Sequence, residues 1–297
     1  MKPYRQTTEY TCVASSYLMV LHHFFPEAFP FDSENEMYLH DKIKFWTGGD
    51  GEYGSYPKLA RHALNLGIEV KFQIPRINPP EFMSKTKWGK YMDNFWPVAD
   101  EIKDNPHYQL KKLDFEVNDL LREVEEGRIP IIEIVYPLDE YTHHVVIYGE
   151  KNGKILVADP IAGLVEYSHK DLRDAYEISY MKNFISLRKR SGLEFIAKGT
   201  SASKGEVVGV CRVVDGFVDD FEEDILVAAR TDPDMTPNMI ASKGVVTDQG
   251  GILCHAAIVS RELEIPCIVG AKVTTQRLKS GDRIYLDADL GRVYRWV

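Results

Sequence analysis

Cysteine is scarce in this chain: four residues in 297, at positions 12, 211, 254 and 267, none of them in a CxxC pair. That excludes a disulfide framework and leaves no structural zinc signature. Long hydrophobic runs are also missing. The strongest apolar stretches, Ile131–Val135 and Val145–Tyr148, are strand-sized, far below the roughly 18 residues of a membrane span. Positive charge is in the minority, with 36 Lys and Arg against 45 Asp and Glu and a net charge of −9. This argues against a general nucleic-acid binder and against a polybasic membrane contact. The first residues, MKPYRQTTE, contain no apolar segment before a small-residue cleavage site, so no signal peptide is expected. With reduced thiols, this reads as a cytoplasmic protein. There is no HExxH, no glycine-rich loop followed by Lys-Ser/Thr and no internal repeat, and no residue cluster claims a metal.

What is present suits a folded protein of two domains: 44% hydrophobic and 27% charged residues over a length of about two typical domains. The apolar spacing of Val13, Tyr17, Val20, Leu21 and Phe24 predicts a helix from Cys12 to Phe25, with Thr11 as N-cap and Pro26 ending it. Residues 47–57 read as a glycine-rich loop, Leu59–Leu66 as a helix closed by Gly67, and Ile68–Ile74 as a strand. Residues 75–110 read as irregular with short helices, and Val117–Glu126 as a helix. Three strands follow, Pro130–Tyr136, His143–Gly149 and Lys154–Ala158, the last two joined by a turn centred on Asn152-Gly153. A short helix Asp171–Tyr176 and a strand Glu177–Leu187 close this half. The basic, small-residue stretch Arg188–Gly192 is the expected boundary, giving domains 1–190 and 191–297. Beyond it, valine-rich strands are expected at Glu206–Val214, Ile225–Ala228, Gly244–Thr247, Cys267–Val269, Arg283–Asp287 and Arg292–Trp296, around one strong helix from Cys254 to Leu263. The acidic run Asp219–Asp224 reads as a solvated loop and Cys267 as core.

The second half carries its chemistry in Thr247-Asp-Gln-Gly-Gly-Ile-Leu-Cys-His-Ala-Ala257. A strand runs into two glycines, which permit a tight turn and close backbone approach, and a helix then opens at His255. Unpaired N–H groups and the helix dipole make that position an anion site. A histidine there can hold a phosphoryl group while the backbone donors and the Thr247 hydroxyl screen its charge. Read without further context, the same residues would also fit a capping histidine beside a glycine turn.

This stretch resembles the phosphohistidine swivelling domain of phosphoenolpyruvate-utilising enzymes. The resemblance runs from Gly199–Gly205 through Asp224–Ala228 and Thr231–Pro237 to Glu264–Gly270 and Gly281–Asp287. It implies that His255 is phosphorylated and that Thr247, Gly250, Gly251 and Cys254 line it. It also implies partners. In that family an ATP-grasp domain charges the histidine and a further domain receives the phosphoryl group, and the 297 residues encode neither. ATP or phosphoenolpyruvate, with Mg²⁺, is therefore expected on a separate phosphodonor chain, with no tightly bound cofactor here.

In the first half, Cys12 opens a helix, where the dipole favours thiolate. Gln6 lies six residues before it, within reach of an oxyanion beside the thiol. His143 starts one strand and Asp159 ends the next, so the hairpin can set a carboxylate on the imidazole. Taken singly, a helix cysteine, a strand-start histidine and an Asp-Pro turn are ordinary features. Together, Gln6-x5-Cys12, His143-His-Val-Val-Ile-Tyr-Gly149 and Asp159-Pro160 resemble papain-fold cysteine peptidases of the bacteriocin-leader type. The resemblance implies Cys12 as nucleophile, His143 as base, Asp159 as its orienting carboxylate and Gln6 as oxyanion donor. Valine stands at 13 where that family has glycine, which narrows the approach to the thiol and counts against ordinary endopeptidase activity. His144 is the competing base. Strand alternation sends the two imidazoles to opposite faces, and the register of the resemblance selects His143.

The expected architecture is therefore α+β: a papain-like cysteine peptidase domain followed by a β/β/α phosphohistidine swivelling domain. The leading functional expectation is phosphotransfer through His255, coupled to a thiol domain that binds a peptide or a small amide or carboxylate. The alternative is a cysteine peptidase, amidase or acyl transferase using Cys12, His143 and Asp159, with the swivelling domain as a regulatory or docking module. A third reading makes both halves binding modules.

Overall fold

The computed structural model describes residues 1–46, 52–74, 96–112, 116–135, 142–177, 179, 184–190, 192–221 and 225–297. The chain divides into two compact units, Met1–Arg190 and Ser191–Val297. Both mix helices and strands, an α+β architecture in each.

The first unit begins with α1 (Cys12–Phe24), in which every residue from Val13 to Leu21 is buried. A helix enclosed on all sides belongs to the centre of a fold rather than its surface. It stops one residue short of Phe25, whose N–H closes the last turn onto Leu21 O ahead of Pro26. Thr11 occupies the cap position but makes no side-chain cap bond, because its hydroxyl is drawn elsewhere. Helix α2 (Ser33–Ile43), unread in the sequence because its polar composition masks it, starts at Asp32, whose carboxylate accepts the Asn35 N–H at 2.8 Å.

Strands β1 (Lys44–Trp46) and β2 (Glu52–Gly54) pair as a small hairpin, and α3 (Tyr56–Asn65) follows at once. The loop expected over 47–57 is thus shorter than its composition suggested, and its residues 47–51 lie outside the described set. Of the irregular stretch expected over 75–110, residues 75–95 also lie outside it; 96–102 are helical (α4) and Tyr108–Lys112 form β4. Strand β3 (Ile68–Ile74), helix α5 (Val117–Glu125), and strands β5 (Ile129–Val135), β6 (Thr142–Lys151), β7 (Lys154–Asp159), β8 (Gly163–Ser168) and β9 (Phe184–Lys189) complete the sheet, with α6 (His169–Glu177) between the last two. Its order is β4-β3-β9-β5-β6-β7-β8, parallel only between β3 and β4. The turn between β6 and β7 places Asn152 at φ 51° and Gly153 at φ 72°, both left-handed, as a two-residue hairpin of the right twist requires. Of the strand expected over Glu177–Leu187, Glu177 instead ends α6 and Phe184 onward forms β9; residues 178 and 180–183 lie outside the described set. Basic Arg188 and Lys189 also belong to β9, where Arg188 pairs with Glu69. Ile132, Ile134, Val145, Ile147, Val157 and Phe184 form the core beneath α5 and α6.

The second unit adds β10 (Leu193–Lys198), β11 (Thr200–Ser203), β12 (Glu206–Val214), β13 (Ile225–Ala228), α7 (Thr236–Ala241), β14 (Gly244–Thr247), α8 (His255–Glu262), β15 (Cys267–Val269), α9 (Thr274–Arg277), β16 (Arg283–Asp287) and β17 (Arg292–Trp296). Eight strands run in the order β10-β17-β16-β12-β13-β14-β15-β11. The middle four, β12 to β15, are parallel, and the flanking pairs are antiparallel. One apolar cluster joins Ile225, Val227 and Val246 to Ile284 and Leu286; another joins Leu226 and Val245 to Ala256, Ala257 and Met239 under α7 and α8. Cys267 is fully buried in the second cluster. The acidic run is described only to Phe221, with Asp219 and Asp220 exposed.

Candidate functional site

Each unit places one of the residues singled out in the sequence on the first residue of a helix: His255 on α8 and Cys12 on α1.

His255 lies beyond the carboxyl ends of the adjacent parallel strands β13 and β14, where open parallel sheets place ligands. The connection from β14 is held by backbone bonds: Asp248 and Gln249 N–H donate to Ala228 and Ala229 O, and Ala271 N–H to Thr247 O. The buried Asp248 carboxylate accepts the N–H and hydroxyl of both Thr274 and Thr275, fixing the loop to α9. Gly250 has φ 105°, and a Cβ there would stand 2.8 Å from Cys254 Sγ, so only glycine fits. A Cβ on Gly251 would meet nothing within 4 Å, so this glycine leaves space open. Cys254 is the N-cap residue of α8, half-buried, with no side-chain cap bond.

Two hydroxyls bracket the His255 ring. Thr231 Oγ1 is 2.9 Å from Nδ1, and Thr236 Oγ1, which donates to Pro233 O, is 3.4 Å from Nε2. The Thr247 hydroxyl does not reach the ring; it is buried and donates to Gln249 O at 2.8 Å. Thr247 therefore shapes the loop, and Thr231 and Thr236 meet the imidazole. Sequence reading placed both threonines in the segment of resemblance but gave them no role, because only the fold brings the β13 loop against α8.

Around Cys12 the partners are titratable. His143 Nε2–H donates to Asp159 Oδ1 at 3.0 Å, and both groups are buried. Asp159 Oδ1 also accepts the N–H groups of Ile161 and Ala162, at 2.6 and 2.9 Å, which keep it an acceptor. Burial alone would raise the Cys12 thiol. Hydrogen bonds to His143 and His144 and the charge of both rings outweigh it and bring the thiol down to about 6. Burial would likewise lower His143, but Asp159 and Cys12 push it up to about 9. Both shifts favour the thiolate–imidazolium form of the pair.

The structure corrects the simple alternation argument for His144. Its Nδ1 is 3.6 Å from Cys12 Sγ, so the second imidazole is not turned away from the thiol. Helix α1 lies directly along β6 here, with Ser16 Oγ donating to His144 O at 2.9 Å.

Gln6 is tied into the same neighbourhood by its N–H on Pro160 O at 2.9 Å, next to Asp159. Its side-chain Nε2 donates to Thr8 O at 2.7 Å and makes no hydrogen bond to Cys12. Arg5–Glu9 with Pro160 and Ile161 line an open cleft at this point. Val13 is buried in the core.

Glu36 is a member of this region that the sequence did not announce. Fully buried on α2, its carboxylate accepts the Thr11 hydroxyl, Ser15 Oγ at 2.9 Å, Thr7 N–H at 2.9 Å and Tyr4 OH at 2.9 Å. Burial would raise Glu36; these bonds, Thr11 first, hold it below the usual carboxylate range. The residue thereby ties the N-terminal segment carrying Gln6 to the first turn of α1.

Among the described residues, the acidic trio Glu206, Asp287 and Asp289 brings ligand atoms within 4.8 Å of one another. Asp289 accepts Gly205 N–H and Asp287 accepts Leu290 N–H, so these carboxylates hold turns. No helix among the described residues is long and apolar enough to cross a membrane.

Comparison with known proteins finds the same two resemblances. Residues 221–291 match the family model for the PEP-utilising enzyme, mobile domain, and residues 105–183 match that for the Peptidase C39 family. A phosphoenolpyruvate synthase of Pyrococcus furiosus is 48% identical over 109 residues, 35% of this chain and 13% of that protein. A probable phosphoenolpyruvate synthase of Pyrococcus horikoshii is 37% identical over 157 residues, 50% of this chain and 17% of that protein. The chain thus spans less than a fifth of the length of either relative. The peptidase domain of Streptococcus ComA, a bi-functional ABC transporter, is 15% identical, covering 64% of this chain and 98% of that one with a TM-score of 0.34.

Proposed function

We propose that the chain is a phosphohistidine carrier in which His255 Nε2 takes a phosphoryl group from a separate donor protein and passes it to an acceptor. The observation that carries this reading is the hydroxyl-bracketed imidazole at the start of α8, on a loop that only glycine can form. With His255 Nδ1–H donating to Thr231 Oγ1, the lone pair rests on Nε2. That nitrogen attacks phosphorus, the P–N bond forms, and the donor's P–O bond breaks with its electrons leaving on oxygen. The first N–H groups of α8 then face an anion. An acceptor oxygen later reverses the transfer. Ile252 and Leu253, exposed beside the histidine, suit docking to a protein donor. ATP or phosphoenolpyruvate, with Mg²⁺, is proposed to sit on that donor, in line with the similarity to phosphoenolpyruvate synthases.

The reading is tested without a partner by treating the full chain with phosphoramidate and recording ³¹P spectra with ¹⁵N-labelled histidine. Phosphorus coupled to Nε2 of His255 is the expected result. Phosphorus on Nδ1, or on every exposed histidine alike, would count against it.

A second reading concerns the first unit. Cys12 and His143, as a thiolate–imidazolium pair oriented by Asp159, suit attack on an amide or activated acyl carbon. The domains at 1–190 and 191–297 would then join acyl chemistry to phosphoryl chemistry in one chain. The proposed substrate of the first is a peptide or a small amide or carboxylate.

A further inference from the structure

Two imidazole–carboxylate pairs, rather than one, converge on Cys12. The first is His143 with Asp159. The second is His144 with Glu133, which pair across β5 and β6 in register and so share a face of the sheet. Glu133 is a lone acid in the wholly buried strand Ile129–Val135. A carboxylate in that position is costly unless it is bound. Its Oε1 accepts the hydroxyl of buried Ser179, and its Oε2 is 3.9 Å from His144 Nε2. The opposite nitrogen, Nδ1, faces Cys12 Sγ. Tyr56 stands edge-on to the ring with centroids 5.6 Å apart, and Ser16 holds the backbone of residue 144 to α1. The imidazole is therefore held between the carboxylate on one side and the sulfur on the other.

We propose that His144, oriented by Glu133, is a second proton acceptor for Cys12, working beside His143 rather than in competition with it. The Sγ–H bond breaks, its proton passes to an imidazole nitrogen, and the electron pair stays on sulfur; either ring can take that proton. The charged and titratable groups around the site are Asp159 on β7, Glu133 on β5, Tyr56 on α3, Tyr176 on α6 near Glu133, and Glu36 on α2 behind Thr11. This deepens the thiol reading of the first unit and rests on Cys12 being a thiolate at neutral pH.

The experiment follows the rate of Cys12 carbamidomethylation by iodoacetamide against pH in the full chain, located by peptide mass. The variants are His143→Asn, His144→Asn, Glu133→Gln and the double histidine variant. Wild type is expected to inflect near the low value given above for Cys12, each single histidine variant higher, and the double variant at or above the ordinary thiol value of about 8.5. From wild type to the double variant this corresponds to about a 30-fold loss of thiolate at pH 7. Glu133→Gln, which keeps both rings, should reproduce part of the His144→Asn shift. A His144→Asn profile that superimposes on wild type overturns the proposal. An ordinary inflection in wild type overturns instead the reading of Cys12 as a thiolate nucleophile.

A measurement on the unaltered sequence guards against misfolded variants. In ¹⁵N-histidine spectra, methylthiolation of Cys12 should move the ring-nitrogen resonances of both His143 and His144. A response from His143 alone contradicts the proposal.

Discussion

The two proposed nucleophiles share one address and differ in their company. His255 and Cys12 both open a helix, where backbone N–H groups and the dipole favour negative charge. His255 is met by two neutral hydroxyls, Thr231 and Thr236. Cys12 is met by two imidazoles, each with a buried carboxylate behind it. A group proposed to receive a dianionic phosphoryl is better served by neutral partners, since a fixed negative partner would repel the cargo. A thiol that is to attack carbon needs to be ionised first, and basic partners do that. The helix start supplies the common electrostatic background, and under the proposed function the side chains around it would select the electrophile.

The largest expected effect that sharpens this contrast is in reactivity with pH. At pH 7, a thiol at about 6 is ionised about 30 times more than an ordinary one. Cys12 should therefore be alkylated well before buried Cys267, which burial pushes up to about 11. The same pair sets a stability window. Cys12, lowered on folding, contributes stability that is lost as pH falls through about 6; His143, raised on folding, contributes stability that is lost as pH rises through about 9. Thermal melting of the full chain should therefore show a plateau between those values, and Cys12→Ser should flatten it.

A smaller effect tests what holds the thiol's helix start. Glu36→Gln leaves four donors facing a weaker, half-donor group and should cost about 1–3 kcal/mol, read from the melting midpoint. Gly250→Ala probes the corresponding support of His255. The strained φ and the contact with Cys254 Sγ should together cost about 1–2 kcal/mol and slow phosphoryl uptake, while Gly251→Ala, in open space, should leave the melting midpoint unchanged. The smallest effect is that of Thr231→Val, which removes one hydrogen bond to Nδ1 and should slow phosphorylation several-fold without altering Cys12 alkylation.

Much of this was legible in the chain. The glycine pair before Cys254-His255 announces a tight turn into a helix, and the Asn-Gly hairpin gives the spacing that puts Asp159 on His143. Period-2 and period-3.6 patterns located most strands of the second unit and helices α1, α3 and α8, because their apolar faces are regular. Helix α2 escaped because its sequence is polar, although it buries Glu36 and Asn35. Strands β8 and β10 escaped because their burial pattern is weak or mixed. The partners of the two nucleophiles were harder to read. Thr231 reaches His255 from a different loop, and Glu36 reaches Thr11 from a different helix, so spacing carries no trace of either. Glu133 did leave a trace: a single acid inside Ile129–Val135, a strand otherwise fit only for the core, is a sign of a buried partner.

The measurement closest to the centre of the account is intact mass at mildly alkaline pH. The full chain and His255→Ala would each be incubated with Mg²⁺ and ATP or phosphoenolpyruvate in a lysate of the source cells, then recovered. The account predicts one added phosphoryl mass on the wild-type chain, lost after brief acid treatment and absent from His255→Ala. No gain with either donor, or an acid-stable gain that persists in His255→Ala, would contradict it.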